Sequence, residues 1–454
     1  MVSRRSTDVV VVGAGVAGAG AALQFARRGR RVLLLEQRSA DAAGARWDNG
    51  VVRWHFERAG IDAPEPPECV QRGTTVMVGP DGTSFDLAEN PVLDTDMRAL
   101  GARLLDGAKT QGAEVLDRVR DVSVELRDGR VRGVRCRTAA GGEVTVDAAL
   151  VVDAGGRPGP VRRQVPLLAR WCPDVTPTGL CSAAQFAHRV ADASGAAAFL
   201  EAHGALPGDT VSFLGFAGGF SLVSIAVNPE LDHVSVLTGT LGGHLWGTGP
   251  SLMSWTRSHH RWIGEPVFGG AGLIPLRRPY ERFTAPGVAL VGDAACQVFP
   301  AHGSGIGISL VAGAMLAEAT AGVDDPGDEG ALWRYQAAFQ RDHGGTLAAY
   351  DVVRRLSTRL GTRGVTEMFR SGLVGADSSA AALRQEWWSP APSELPRLAA
   401  GLAARPALAA RVLPALARAS AAHRLYEQYP VEPDDAALHR WSRRADALLG
   451  RSAI

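Results

Sequence analysis

Residues 8–36 read DVVVVGAGVAGAGAALQFARRGRRVLLLE, and this stretch constrains the chain more than any other. Val9 to Val12 form a short apolar run, the pattern of a strand buried on both faces of a parallel sheet. Gly13-Ala14-Gly15-Val16-Ala17-Gly18 follows at once, then an Ala-rich helical segment, then a second apolar run that ends on Glu36. A G-x-G-x-x-G turn between a strand and a helix, with an acid about 20 residues on, is the dinucleotide-binding fingerprint. Gly13 allows the tight turn, Gly15 lets a pyrophosphate approach the backbone, and Gly18 lets the helix pack close to the strand. The free N–H groups at Val16 and Ala17 point at the phosphates. Glu36 is placed to accept hydrogen bonds from ribose hydroxyls, and its neighbour Gln37 joins the expected cofactor-binding set.

The chain has 454 residues, enough for two or three domains. Its net charge of +1 gives no electrostatic reason to expect nucleic acid. Lys109 is the sole lysine, and five scattered cysteines form no CxxC pair or metal spacing. These features predict a reduced, cytoplasmic protein without structural disulfides or a metal site. The N-terminal residues read straight into the first strand with no signal peptide, and no run reaches the ~18 apolar residues of a membrane span.

Further along, Gly50 to Gly60 reads as a short helix and Gly73 to Leu87 as a hairpin turning at Pro80-Asp81-Gly82. Asp94 to Gly112 reads as an amphipathic helix carrying Arg98, and Ala148 to Val152 as another buried strand. Strands predominate from Arg170 to Arg282, at Val211–Phe216, Phe220–Asn228 and His233–Gly239, with a helix over Ala191–His203. Val288 to Val291 returns to the buried-strand pattern, with a helix over Ser304–Thr320. The tail from about Asp328 is helical, with breaks expected at Pro406 and Pro414. Its stripe of Leu402, Leu408, Val412, Leu413 and Leu416 is expected to pack on the enzyme body, with peripheral membrane contact the lesser alternative.

Two more segments carry chemistry. Gly287 to Gly307 reads GVALVGDAACQVFPAHGSGIG, and Asp153 to Arg162 reads DAGGRPGPVR. With the first fingerprint, these resemble the glutathione-reductase-type FAD superfamily, in the branch of p-hydroxybenzoate hydroxylase-like monooxygenases and geranylgeranyl reductases. The resemblance implies non-covalent FAD, with Gly292-Asp293 on its ribityl chain and Pro300, Gly303, Gly305, Ile306 and Gly307 along the isoalloxazine ring. A helix starting near Ser304 would aim its N–H groups at the ring edge where negative charge builds on reduction. The resemblance also implies FAD-side positions for Asp153 and Gly156 and a flavin or pyrophosphate contact for Arg98. It further implies a pyrophosphate contact for Arg46, with Arg53 as competitor, and adenine contacts from the backbone near Val122. In the Asp153 segment Gly155 and Gly159 replace the usual Thr and Ser, and the register is nearer the geranylgeranyl reductases.

The expected fold class is α/β. It comprises a Rossmann-like FAD-binding domain (1–72, 94–165 and 272–327), an inserted antiparallel β-sheet substrate domain (73–93 and 166–271), and a helical C-terminal cap (328–454). Three chemistries compete. A geranylgeranyl-reductase-like alkene reductase is favoured by the Asp153 register and by Tyr335, His343, Tyr350 and Leu425–Pro430 of the tail. The reductases' Cys-Gly-Gly loop and Y-x-W-x-F-P strand are absent, so the balance leans to a flavin monooxygenase hydroxylating or epoxidising an apolar natural-product or isoprenoid substrate. Phe213, Phe216, Phe220 and Trp246 are candidates to line its pocket. A non-redox cyclase using FAD as scaffold is the third reading. NAD(P)H or a flavin reductase partner would supply electrons. His302, inside the flavin loop, is the candidate catalytic residue, placed to donate a proton or polarise a substrate carbonyl, or equally to hydrogen-bond the backbone of its Gly-rich turn.

Overall fold

The computed structural model describes residues 2–88, 90–241 and 247–450. Its first sheet is built around the strand Val2–Val12. This pairs in parallel with Val32–Leu35 on one side and Glu143–Asp153 on the other. Glu114–Leu116 and Val288–Leu290 extend the parallel set, and antiparallel strands at Arg120–Arg127 and Arg130–Arg137 add to it. Val9 to Val12 are buried because helices cover this sheet. Two of them, Val16–Arg27 and Ile306–Ala319, pack so closely that a Cβ at Gly313 would lie 3.2 Å from the Ala21 backbone. Ile306–Ala319 is buried on nearly all sides, so it carries no amphipathic stripe.

The second sheet has seven strands in the order Ile263–Pro275, Leu180–Val190, His233–Leu241, Ser221–Val227, Thr210–Leu214, Thr75–Val78 and Ser84–Leu87. Every pairing is antiparallel except Thr210–Leu214 with Thr75–Val78. The hairpin at residues 80–82 forms as expected. Sequence patterning misses Leu180–Val190, Ile263–Pro275 and the helix Gly249–His259. Ile263–Pro275 contains four glycines and Pro266, and it is an edge strand, where such residues are tolerated.

A three-stranded sheet joins Asp48–Val52, Val92–Asp96 and Cys69–Gln71. The helix expected from Gly50 therefore starts three residues later, at Arg53–Ala59, after a strand. The tail is helical. Glu329–Phe339 runs through a π-turn into Gly345–Ser371, which breaks at Gly361 (φ 64°, ψ −171°). Leu395–Ala403, Pro406–Tyr426 and Asp435–Leu449 follow. Pro406 takes the first turn of its helix, where a missing N–H costs nothing. The break expected at Pro414 does not occur, and the helix continues through it.

Candidate active site

One cavity of about 1560 Å³ runs from the glycine turn, under the seven-stranded sheet, to the tail helices. A single drug-sized ligand occupies roughly 300–1,000 Å³, so there is room for a dinucleotide and a second molecule. Gly15, Val16 and Ala17 line one end. Gly15 caps its helix with no side-chain hydrogen bond, so the first N–H groups face the cavity unpaired. The helix Ile306–Ala319 is also uncapped by any side chain at Gly305, and Gly305 and Ile306 line the same cavity. Two unsatisfied helix N-termini converging on one glycine-lined cavity fit FAD, which brings a pyrophosphate and an electron-poor ring edge.

The turn itself is built tightly. Gly13 has φ +103°, and a Cβ there would lie 2.5 Å from the Ala154 carbonyl oxygen. A Cβ at Gly18 would lie 1.8 Å from the Gly13 oxygen, which is the close helix–strand approach expected of it. Glu36 is buried behind the turn. It accepts hydrogen bonds from Ala14 N (2.8 Å) and Arg38 N (2.9 Å), so both carboxylate oxygens already hold the backbone. Neither Glu36, which is buried, nor Gln37, which is exposed, is among the residues lining this cavity.

Asp293 lines the cavity beside Gly292 and Gly305, and burial pushes its carboxyl up to about 6. Gly303, Gly305 and Ile306 line it as well, whereas Pro300 and Gly307 lie behind the surface. Gly307 is under the His55 ring, 2.4 Å from Nδ1 if it carried a Cβ. Gly156 lines the cavity with a left-handed φ of +69°. Asp153 does not. It is fully buried and accepts from the backbone N–H groups of Gly155 (3.0 Å), Val161 (2.9 Å) and Arg162 (2.8 Å). Its place is to hold its own loop, because three N–H donors saturate a carboxylate that solvent cannot reach.

The two arginines expected at the flavin or pyrophosphate are exposed and meet acceptors of the protein. Arg46 is exposed and donates to the Asp41 carbonyl oxygen at 2.9 Å. Arg98 pairs with Asp96 at 2.7 Å and lies 4.1 Å over the Phe268 ring, and Arg53 is exposed. The Val122 carbonyl oxygen, on the backbone expected to meet adenine, accepts from Gln164 Nε2 (2.9 Å). Among the described residues, Arg72 is the arginine that lines the cavity. It is half-buried and donates twice to Asp94 Oδ2, at 3.0 and 2.8 Å. No motif surrounds Arg72, so only the fold reveals it.

His302 lines the cavity and packs on Phe299, with ring centroids 4.7 Å apart. Its Nε2 lies 3.2 Å from the Ala382 carbonyl oxygen, which can only accept, so Nε2 carries the proton. Burial holds the imidazole down at about 4. It is therefore neutral near pH 7, and its hydrogen bond goes to backbone, to Ala382 of the tail rather than to the glycines of its own loop. Phe220 lines the main cavity. Phe213 and Phe216 point to the opposite face of the sheet, into a smaller cavity of about 490 Å³ with Trp255 and His260. Trp246 lies outside the described residues.

The tail closes the cavity. Trp387, Leu402, Val412, Leu413 and Leu416 line it, and Leu408 is buried. Most of the apolar stripe thus faces inward, as packing on the enzyme body requires. No described helix is long and apolar enough to cross a membrane.

Comparison with known proteins agrees with this architecture. The family of FAD dependent oxidoreductases matches residues 8–66. A digeranylgeranylglycerophospholipid reductase of Sulfolobus acidocaldarius is 23% identical over 462 residues, covering 97% of both chains. A second reductase of that description, from Methanopyrus kandleri, is 29% identical over 348 residues, covering 75% of this chain and 84% of its own. Among solved structures, a geranylgeranyl bacteriochlorophyll reductase-like protein from Thermoplasma acidophilum shares the fold. Its TM-score is 0.73 at 19% identity, over 89% of this chain and all of that one. A myxobacterial chondrochloren halogenase shares it more distantly, with a TM-score of 0.59 at 16% identity, over 98% and 97%. Fold, cavity and family match together make this chain an FAD-dependent enzyme of oxidoreductase type.

Proposed function

We propose that the protein reduces carbon–carbon double bonds in a long apolar, isoprenoid-type chain. The observation that carries this reading is the continuity of the cavity: one space joins the uncapped turns at Gly15 and Gly305 to a wall of Leu402, Val412, Leu413 and Leu416. Such a wall suits a chain many carbons long, and burying each CH₂ contributes about 0.8 kcal/mol. The full-length similarity to proteins named digeranylgeranylglycerophospholipid reductase supports the same chemistry. It turns the reading away from the monooxygenation that the missing reductase motifs favour.

Reduced FAD would supply a hydride equivalent to one alkene carbon, and the other carbon would take a proton. The protein's part is to hold the chain across the ring and keep water out. Asp293, Gly292 and Gly156 would hold the cofactor, and residues 303–306 would lie along its ring. His302, tied to Ala382, would hold that loop under the tail. Residues 73–93 and 166–271 would form the substrate side, and residues 328–454 the cap. NAD(P)H or a separate reductase would reload the flavin.

The test is anaerobic turnover of a polyprenol by the dithionite-reduced holoprotein, followed by mass analysis. Uptake of two hydrogens per double bond is expected. A product that forms only in air and carries an added oxygen would replace this reading with monooxygenation.

A further inference from the structure

The sheet face that roofs the cavity is not uniformly apolar. Strand pairing aligns Ser212 with Ser224, Ser224 with Leu237, Leu237 with Gln185, and Gln185 with Gly270. Alternate residues along a strand share a face, so this is one cross-strand row looking into the cavity. Ser212 and Ser224 hydroxyls are 2.6 Å apart. Gln185 is 7% exposed and lines the cavity, and among the described residues its amide has no hydrogen-bond partner. Thr210 and Ser235 extend the polar surface one row further.

In the other direction the polarity ends. The next row is Leu214, Leu222, Gly239, Ala183 and Gly272, and beyond it lie Cys181 and Ile274. Ile274 lies next to the flavin loop, 3.5 Å from where a Cβ on Gly303 would be. Ile274 is four positions on from Gly270, so about 13 Å of strand lies between the polar row and that loop.

The charge at the polar end includes more carboxylates than arginines, and both arginines are paired. Arg72 donates both of its contacts to Asp94. Asp48, Asp94 and Asp96 lie together with Arg72 and Arg98, and Arg98 is itself paired with Asp96. A phosphate placed here would lose water and meet more carboxylates than free cations, which is costly in a buried site. An unpaired amide and a row of hydroxyls suit a neutral group that both donates and accepts hydrogen bonds.

We propose that this row seats an uncharged, hydroxyl- or carbonyl-bearing head of the substrate rather than a phosphate. The apolar chain then leads over the next two rows to the flavin loop. The head is thereby a ruler, presenting bonds about 13 Å away to residues 303–305. This inference rests on the alkene-reductase reading for the identity of the chain.

The test is equilibrium dialysis of the FAD-loaded protein against geranylgeraniol and, separately, geranylgeranyl monophosphate. The alcohol is expected to bind at least about tenfold more tightly. Gln185→Leu and Ser224→Ala should each weaken the alcohol severalfold, leave the phosphate unchanged and leave FAD content intact. Equal or tighter binding of the phosphate overturns the proposal, as does failure of both to bind, or variants that shift both ligands alike or neither. If the alcohol is preferred but anaerobically reduced holoprotein returns it unaltered, the head seat stands and the alkene-reductase reading falls.

Discussion

Glu36 Oε2 accepts a hydrogen bond from the Ala14 backbone N–H at 2.8 Å, so the acid ending the second strand braces the phosphate turn from behind. Its other oxygen takes Arg38 N. Glu36→Ala would leave two N–H groups without their partner, the buried one at a cost of about 1–3 kcal/mol. The expected outcome is a lower Tm for the apo protein together with weaker FAD retention. Glu36→Gln, which keeps an acceptor oxygen, should lose less of both.

Asp293 is expected to make FAD binding depend on pH. Its carboxyl sits at about 6 because burial disfavours the charge, and it faces the cavity. The ionised form is the better acceptor for ribityl hydroxyls, so affinity should rise with pH through about 6 and fall below it. Fluorescence titration of apo protein with FAD between pH 5 and 8 measures this. Asp293→Asn should flatten the dependence, and Asp293→Ala should bind FAD much more weakly at every pH.

His302, His55 and His343 are each held down at about 4 by burial. Between 4 and the ordinary 6.5 the unfolded chain binds more protons at these positions than the folded one. They therefore contribute stability that is present above 6.5 and is lost as pH falls toward 4. Asp48 and Asp293, raised to about 6, act in the opposite direction over 3.8 to 6. Denaturant melts should show a shallower acid loss in His302→Phe than in the parent. Turnover by that variant near pH 7 should survive, because the imidazole there is already neutral.

The join between sheet and tail is equally specific. A Cβ on Gly219 would lie 1.7 Å from the Ser357 carbonyl oxygen, just before the helix breaks at Gly361. Backbone cannot retreat as a flexible side chain can, so Gly219→Ala should destabilise by about 1–3 kcal/mol or more. Limited proteolysis of the tail, read beside thermal melts, checks this. Similarly, Leu416→Asp should suppress reduction of a twenty-carbon chain far more than that of a ten-carbon one, since Leu416 lines the tail wall of the cavity.

The sequence showed the dinucleotide turn and the flavin loop because both rest on local rules. Gly13, Gly15 and Gly18 are required by backbone approach, and Asp293 follows a buried strand directly. It hid Arg72, whose partner Asp94 is brought to it by the fold, and Gln185, whose place facing the cavity depends on strand pairing. Gln185 sits on Leu180–Val190, which carries Ser, Gln, His and Arg beside apolar residues and gives no clean alternation. Arg46, Arg98 and Asp153 were legible as residue types, and the structure places them on the Asp41 carbonyl oxygen, the Asp96 carboxylate and N–H groups of the 155–162 loop. A charged side chain is as well satisfied by Asp41, Asp96 or its own loop's backbone as by a cofactor, and only geometry separates these outcomes. The helix over Gly50–Gly60 was half right because Asp48–Val52 forms a strand only through pairing with Val92–Asp96.

The most direct test of the central claim is to reduce the FAD-loaded protein without oxygen, mix it rapidly with a polyprenol, and follow the flavin absorbance anaerobically. Return of the oxidised spectrum in step with double bonds consumed is the predicted result. Flavin that stays reduced until oxygen is admitted, whatever chain is offered, would contradict it.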